Sequence, residues 1–254
     1  MLLFWNNLSD NATLTASTAD SYWPVSNLQN DQKVRVWKTL GTQATESVVF
    51  DLGSAQAVTS FIAHYHNFDG TETAVSIQGN SANSWGSPAF SQTVAYTATT
   101  MAATFASQSY RYWRFVFTKP SSGAIRSIGR VFLGTYYDTG SQGDPDFDGL
   151  QAAVNDASVA TDNLYGQTYT EKRGQFYTFQ IDQTFLPESI QAQLRTIVAA
   201  VGNWKTFFIQ IRSTAPFNNY FYVLLADSQP LPSKVDGMDT DLTWSNTLKL
   251  KEQL

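Results

Sequence analysis

The chain has 254 residues, 43% hydrophobic and 15% charged, with a formal net charge of −5 and a sequence pI ≈ 4.9. That length allows one large or two small domains, and the acidic balance excludes the basic footprint of a phosphate-binding nucleic-acid protein. No cysteine is present, so disulfides and thiolate-held zinc or iron–sulfur sites are excluded.

The charged fraction lies below the usual quarter or so. Thr, Ser, Asn and Gln fill the gap, which suits a strand-rich protein with neutral polar faces. Aromatic residues, with 7 Trp, 12 Tyr and 17 Phe, suffice for two cores. The start, residues 1–10, lacks a basic n-region, and its apolar run is short for a signal peptide. No apolar stretch long enough to span a bilayer follows. The expectation is synthesis in a reducing bacterial cytoplasm, with lysis of the host as a route out.

In the first half, short apolar runs recur between Gly, Asn, Ser and Asp. Residues 47–53 (SVVFDLG) read as a buried strand stopped by Gly53, and residues 58–65 (VTSFIAHY) as another. Residues 74–79 alternate, with Val75 and Ile77 on one face. In residues 110–117 (YRYWRFVF), Trp113, Phe115 and Phe117 share one face, and Tyr112, Arg114 and Val116 the other. Residues 127–134 (SIGRVFLG) complete the set. Many short strands with turn signals and no helical period predict a sandwich or barrel.

Five pieces stand in a particular order: ATLTAS at 12–17, PVSNL at 24–28, VWKT at 36–39, VFDLG at 49–53 and RYWRF at 111–115. In that order they resemble the discoidin (F5/8 type C) family, whose fold is shared with many galactose-type carbohydrate-binding modules. The resemblance covers residues 5–135 and implies a β-sandwich or jelly roll. The family's end-to-end disulfide is missing, so closure must come from strand pairing and packing.

In that family, loops at one end of the barrel hold the ligand. The matching stretches are 20–23, 29–32 and 64–69. The implied glycan contacts are Tyr22, Trp23, Asp31, Tyr65, His66, Asn67 and Phe68. A ring face covers the apolar C–H side of a sugar, while amides and carboxylates bind its hydroxyls. The alternative is packing: Trp23 before Pro24 can wedge the barrel mouth, and Tyr65 and Phe68 can pack on a neighbouring subunit. His64 and His66 are the two histidines of the chain, and two alone make a poor metal site.

Residues 135–145 are polar, contain Gly and Pro, and read as a linker. Residues 144–149 (DPDFDG) match the opening of a calcium loop, through Asp144, Asp146 and Asp148. Loop position 12, which needs a bidentate acid, is Asn155. The alternative is a solvated acidic turn, and no metal or other cofactor is expected.

In the second half, residues 171–174 (EKRG) form a charged turn. Residues 175–182 (QFYTFQID) alternate, with Tyr177, Phe179 and Ile181 toward the core. A helix follows. Pro187 suits its first position and Glu188 the positive end of its dipole. Ile190, Leu194, Ile197, Val198 and Val201 form an apolar stripe, and Gly202 ends the helix. The polar residues Gln191, Gln193, Arg195 and Thr196 are nearly uncharged, which suits contact with another subunit.

Strands resume at residues 205–211 and 220–226, with Asn218 and Asn219 in a turn between them. A last pair is expected at 234–235 and 240–245. The tail, 248–254, alternates and can finish the sheet.

This order of strand, helix and antiparallel strands resembles the ring-forming domain of phage tail proteins, notably the distal tail protein. The resemblance covers about residues 165–254. In many distal tail proteins the ring domain comes first, so the order here is reversed. The expected organisation is therefore a discoidin-like sandwich at 1–136, a linker at 137–164 and a mainly β ring-type domain with one packed helix at 165–254.

The main expectation is a non-enzymatic virion protein of a phage tail tip or baseplate. It would form a ring, expected to be hexameric, that joins the tail tube to the host-recognition apparatus. A ring needs two different complementary faces on each subunit. The alternative is an adhesin that recognises cell-surface glycan, and both can hold at once. A glycoside hydrolase needs two carboxylates about 5–10 Å apart in a cleft. The acids here lie mostly in turns, the group at Asp236, Asp239 and Asp241 included.

Overall fold

Phe61 stacks on Phe115 in one core, with ring centroids 4.8 Å apart, and meets Phe50 edge-on at 6.4 Å. The computed structural model describes residues 1–254 except 122, 147, 213–218, 227–232, 237–242 and 254. Of Ser233–Asp236 only the backbone is described. Among the described residues, no helix is long and apolar enough to cross a membrane.

In chain order the strands are β1 (Leu2–Asn7), β2 (Thr13–Ala16), β3 (Trp37–Lys38), β4 (Thr45–His66), β5 (Thr73–Asn80), β6 (Phe90–Thr93), β7 (Thr100–Thr118) and β8 (Ser127–Asp138). Then come β9 (Leu150–Asp156), β10 (Val159–Asp162), β11 (Thr168–Glu171), β12 (Gln175–Pro187), helix α1 (Glu188–Val201), β13 (Phe207–Gln210), β14 (Tyr220–Leu225), β15 (Ser233–Asp236) and β16 (Thr243–Glu252). The fold is mainly β, as the sequence predicts.

The chain divides into two units. One is Asn6–Tyr136, and the other is Met1–Trp5 together with Tyr137–Leu254. Two stretches fall differently from the organisation read in the sequence, the first strand and part of the expected linker. Leu2, Leu3 and Phe4 pair with Gln210, Ile209 and Phe208, so the first strand belongs to the second unit's sheet. Residues 150–156, included in the expected linker, form β9 on the edge of that sheet. An edge strand has one exposed side and needs less apolar patterning.

In the unit 6–136 the strand order is β6-β5-β7-β4-β8, with β2 on β4 and β3 on β8. The two runs expected as separate strands at 47–53 and 58–65 are one strand, β4. Its register shifts between Asp51 and Gln56, where Gly53 takes φ +76° and Asp51 Oδ1 accepts its N–H at 2.8 Å. Trp113, Phe115 and Phe117 are all buried in the core, as their shared face predicts.

Gly129 in β8 has no room for a side chain. A Cβ there would lie 2.0 Å from the Lys33 carbonyl oxygen and 3.1 Å from the Tyr65 ring. Gly129→Ala is therefore expected to cost about 1–3 kcal/mol by overpacking against backbone. Urea denaturation checks this, and a neutral result would mean that the loop through Lys33 yields freely.

In the unit 1–5 plus 137–254 the order is β1-β13-β14-β16-β12-β9, with β15 on β16. Helix α1 buries Leu194, Ile197 and Val201 against Phe179, Ile181, Ile209, Val223, Leu248 and Leu250. Pro187 caps the helix from the extended region rather than standing inside it, and Gly202 ends it at φ +52°. The β15–β16 pair matches the expected last hairpin from Thr243 onward, while residues 240–242 and Asn218 lie outside the described residues. Strands β10 and β11 pair only with each other among the described strands.

Candidate functional site

The loop at 20–23 is built by its own aspartate. Asp20 Oδ1 accepts the Tyr22 N–H at 2.8 Å, and the Trp23 N–H donates to the Asp20 carbonyl at 3.1 Å. Two further backbone bonds pin this turn to β3: Asp20 N–H to Lys38 O at 3.0 Å, and Lys38 N–H to Trp23 O at 3.2 Å. An aspartate that bonds two residues onward fixes such a turn without a glycine. The buried Trp37 beside it donates its indole N–H to the Thr18 carbonyl at 3.0 Å, which anchors the strand from inside.

Asn67 joins its loop to residues 125–127, and Ser127 stands opposite Lys38 of β3. Asn67 Nδ2 donates to the Ile125 carbonyl at 3.1 Å, and its Oδ1 accepts the Ser127 N–H at 2.7 Å. Thr39 is tied to Arg126 by backbone and hydroxyl bonds of 2.9 Å and 3.0 Å. The Arg126 guanidinium in turn binds Glu72, and Asp69 at 3.0 Å. Asp69 is held below the usual carboxylate range, first by its bonds from Thr71 and then by Arg126.

These ties enclose a cleft of about 310 Å³ lined by Asp20, Trp23, Lys38, Thr39, Asn67, Ile125 and Ser127. Lys38 Nζ lies 4.0 Å from the centre of the Trp23 ring. The half-exposed Ile125 adds an apolar wall, and Asp20, Lys38 and Thr39 add a carboxylate, an ammonium and a hydroxyl. The arrangement offers apolar contact together with groups of both hydrogen-bonding senses.

Of the residues expected at a glycan site, Trp23 and Asn67 line this cleft. Asn67 spends its amide on the loop frame, so it shapes the cleft. Tyr22 projects beside it, 87% exposed. Phe68 does not reach solvent. It is 4% exposed and packs on Phe117, centroids 4.7 Å apart, because the loop turns inward after Asn67. His66 is half-buried, with its ring edge-on to Phe68 at 5.3 Å and its Nδ1 accepting the Phe68 N–H. Asp31 pairs with the buried Arg130 at 3.2 Å, and Asp10 shares that guanidinium. Tyr65 is exposed, at φ +56°, with Lys33 Nζ 5.8 Å from its ring centre, away from the cleft lining. Sequence reasoning missed Lys38 and Ile125. Lys38 follows the buried Trp37, so strand alternation turns it outward, and that was the available signal.

The acidic stretch does not gather its carboxylates. Asp144 faces the Met1 nitrogen, and Asp146 accepts the Thr184 N–H at 3.2 Å. Among the described residues no three His, Asp or Glu side chains are placed to hold a metal ion. On the helix, Gln191 is not part of an outer face. It is fully buried and accepts from Asn246. Gln193 is half-buried, while Arg195 and Thr196 are exposed, with Arg195 lying 4.4 Å from the Trp244 ring centre.

No family model matches this sequence, and no curated protein matches it. About half of the chain is similar in structure to carbohydrate-binding modules. A chitosan-binding module of a Paenibacillus chitosanase/glucanase is 21% identical. It matches over 51% of this chain and 99% of its own, with a TM-score of 0.42. A fucose-binding module of Streptococcus pneumoniae is 14% identical over 52% of this chain and 99% of its own, with a TM-score of 0.42. The family 32 module of Clostridium perfringens NanJ, solved with galactose, is 16% identical over 54% and 100%, with a TM-score of 0.41.

Proposed function

We propose that residues 6–136 form a non-catalytic module that binds a carbohydrate in the cleft at Trp23 and Lys38. The observation that carries this reading is the cleft itself, where an indole and Ile125 stand beside Asp20, Lys38 and Thr39. Sugars present one apolar C–H face and a rim of hydroxyls, and this lining supplies a partner for each. A cleft of about 310 Å³ sits at the small end of ligand cavities, which suits the end of a glycan rather than a long stretch of it.

A glycan array probed with the whole chain tests the reading. Trp23→Ala is expected to weaken the best signal at least tenfold, or about 1.4 kcal/mol. Binding that survives this change, or an array without signal, would count against the cleft.

A second reading concerns the other unit: that it assembles into a ring, expected to hold six copies, at a phage tail tip. There it would join the tail tube and other tail-tip proteins in a particle made in the host bacterial cytoplasm. What favours assembly is the wholly exposed β10–β11 hairpin, since two strands alone are marginally stable in water. Native mass spectrometry tests it, and a closed ring of defined copy number is the expected result. The two readings are compatible, with the ring presenting the glycan-binding modules.

A further inference from the structure

The β10–β11 hairpin has every residue of both strands exposed. Its turn is nevertheless tightly fixed. Asn163 Oδ1 accepts the N–H groups of Tyr165 and Gln167 at 2.9 Å and 3.0 Å, and its Nδ2 donates to Gln167 Oε1 at 2.9 Å. Gly166 closes the turn at φ +76°, and Thr168 donates to Asp162 at 2.6 Å just below it. The residues that this frame holds out are Leu164, fully exposed, and Tyr165, 91% exposed. A rigid turn that presents a leucine and a tyrosine to water is an unusual use of apolar surface.

The same unit carries a complementary surface. Gln180 stands opposite Gln151 and Lys249, and Thr178 stands opposite Ala153. Paired residues share a face, so these five lie on the side of the sheet away from Phe179 and Ile181. With Ala226 they line a groove of about 420 Å³. The small Ala153 and Ala226 leave depth between longer neighbours. A tyrosine ring fits against their methyl groups, and its hydroxyl can meet the Gln151 or Gln180 amide. The acid beside the tip, Asp162, matches the base in the groove, Lys249.

We propose that the Leu164–Tyr165 tip of the hairpin docks in the β9–β12–β16 groove of a second copy of this chain. Tip and groove differ, so the contact is head-to-tail, and repetition of it closes a ring or extends a fibre. The proposal deepens the assembly reading and rests on it only in taking the partner to be another copy.

The cysteine-free sequence allows a direct test. Leu164→Cys, which keeps the Tyr165 ring, and Ala153→Cys are made as separate single-cysteine chains and mixed under mild oxidation. The mixed disulfide is expected to form well above the yield of Leu164→Cys with an exposed control, Ser54→Cys. A yield no higher than the control, or a predominance of tip-to-tip Leu164→Cys dimers, overturns the proposal. Native mass spectrometry of Leu164→Ser/Tyr165→Ser separates this contact from assembly as such. An oligomer that becomes monomeric in the variant is expected. An oligomer that persists overturns the hairpin contact and leaves the assembly reading standing, whereas a wild-type chain monomeric at every concentration overturns both.

Discussion

Lys119→Met is expected to destabilise the chain by about 3–5 kcal/mol, because it strands a buried charge. Lys119 Nζ and Glu46 Oε1 are 3.1 Å apart, and both side chains are wholly buried. The other carboxylate oxygen accepts Ser17 Oγ at 2.5 Å and Thr18 Oγ1 at 2.8 Å. With the ammonium gone, two hydroxyls remain to stabilise a full negative charge out of water, which they do poorly. The double change Lys119→Met/Glu46→Gln removes both charges and keeps the hydroxyl partners, so it should recover more than half of the loss. Urea denaturation followed by tryptophan fluorescence reads both values. A loss for the single variant below about 1 kcal/mol would place the pair in the energetic range of solvated surface bridges. The effect should reach the cleft too, since Thr18 also accepts the Leu40 N–H at 3.1 Å and bonds the Trp37 indole through its carbonyl.

Acid should weaken the same unit well before its carboxylates are protonated. Burial, with smaller contributions from Lys33 and His66, pushes the His64 imidazole down to about 3. Its Nδ1 sits 2.8 Å from Thr100 Oγ1. In the unfolded chain the ring takes up a proton near its ordinary value of about 6.5, while in the folded chain it stays neutral. The stability it contributes is thus fully present above pH 6.5 or so and is lost as pH falls from there toward about 3. The total over that window is on the order of 4–5 kcal/mol. His66, whose pKa is also lowered chiefly by burial, acts in the same direction. Asp51, held at about 2 mainly by its bond from Arg111, adds its loss only at the acid end. Stability measured from pH 7.5 to 4.5 should therefore hold down to about pH 6.5 and fall steadily below it, and His64→Gln should flatten the curve. A wild-type curve already flat across that range would contradict a neutral buried ring.

The parts of this fold that were legible in sequence are those whose signal is local. Strict alternation located Phe179 and Ile181 in a core, and a terminal glycine with an apolar stripe located α1. What escaped was decided at a distance. Leu2 and Leu3 look the same whichever sheet they join, and their partners, Gln210 and Ile209, stand far along the chain. Phe68 sits among His, Asn and Asp and reads as loop surface, yet the turn carries it into the stack with Phe117. Gln191 was misplaced for a different reason. It stands three residues before Leu194 and seven before Val198, squarely on the apolar stripe, and its polarity outweighed its position. Its buried partner, Asn246, comes from a strand with no sequence link to the helix. The cleft lay between these extremes. Trp23 was visible as an aromatic beside turn residues, but Lys38 and Ile125 meet it only once β3 and β8 are paired.

Because residues 6–136 interrupt the other unit after its first strand, the order of synthesis is not the order of completion. Leu3 is made well ahead of Ile209, roughly 200 residues apart in the chain, so that one pairing must wait for most of the chain. The inserted unit is complete at Tyr136. Its two ends meet, with Asn7 Oδ1 accepting the Leu133 N–H at 3.0 Å. Once folded, it therefore acts as a clasp that shortens the remaining closure from the length of the interruption to a few residues. Efficient maturation of the second sheet then depends on prompt folding of the first, so that slow folding around Lys119 or His64 would surface as a defect in a part of the chain that contains neither.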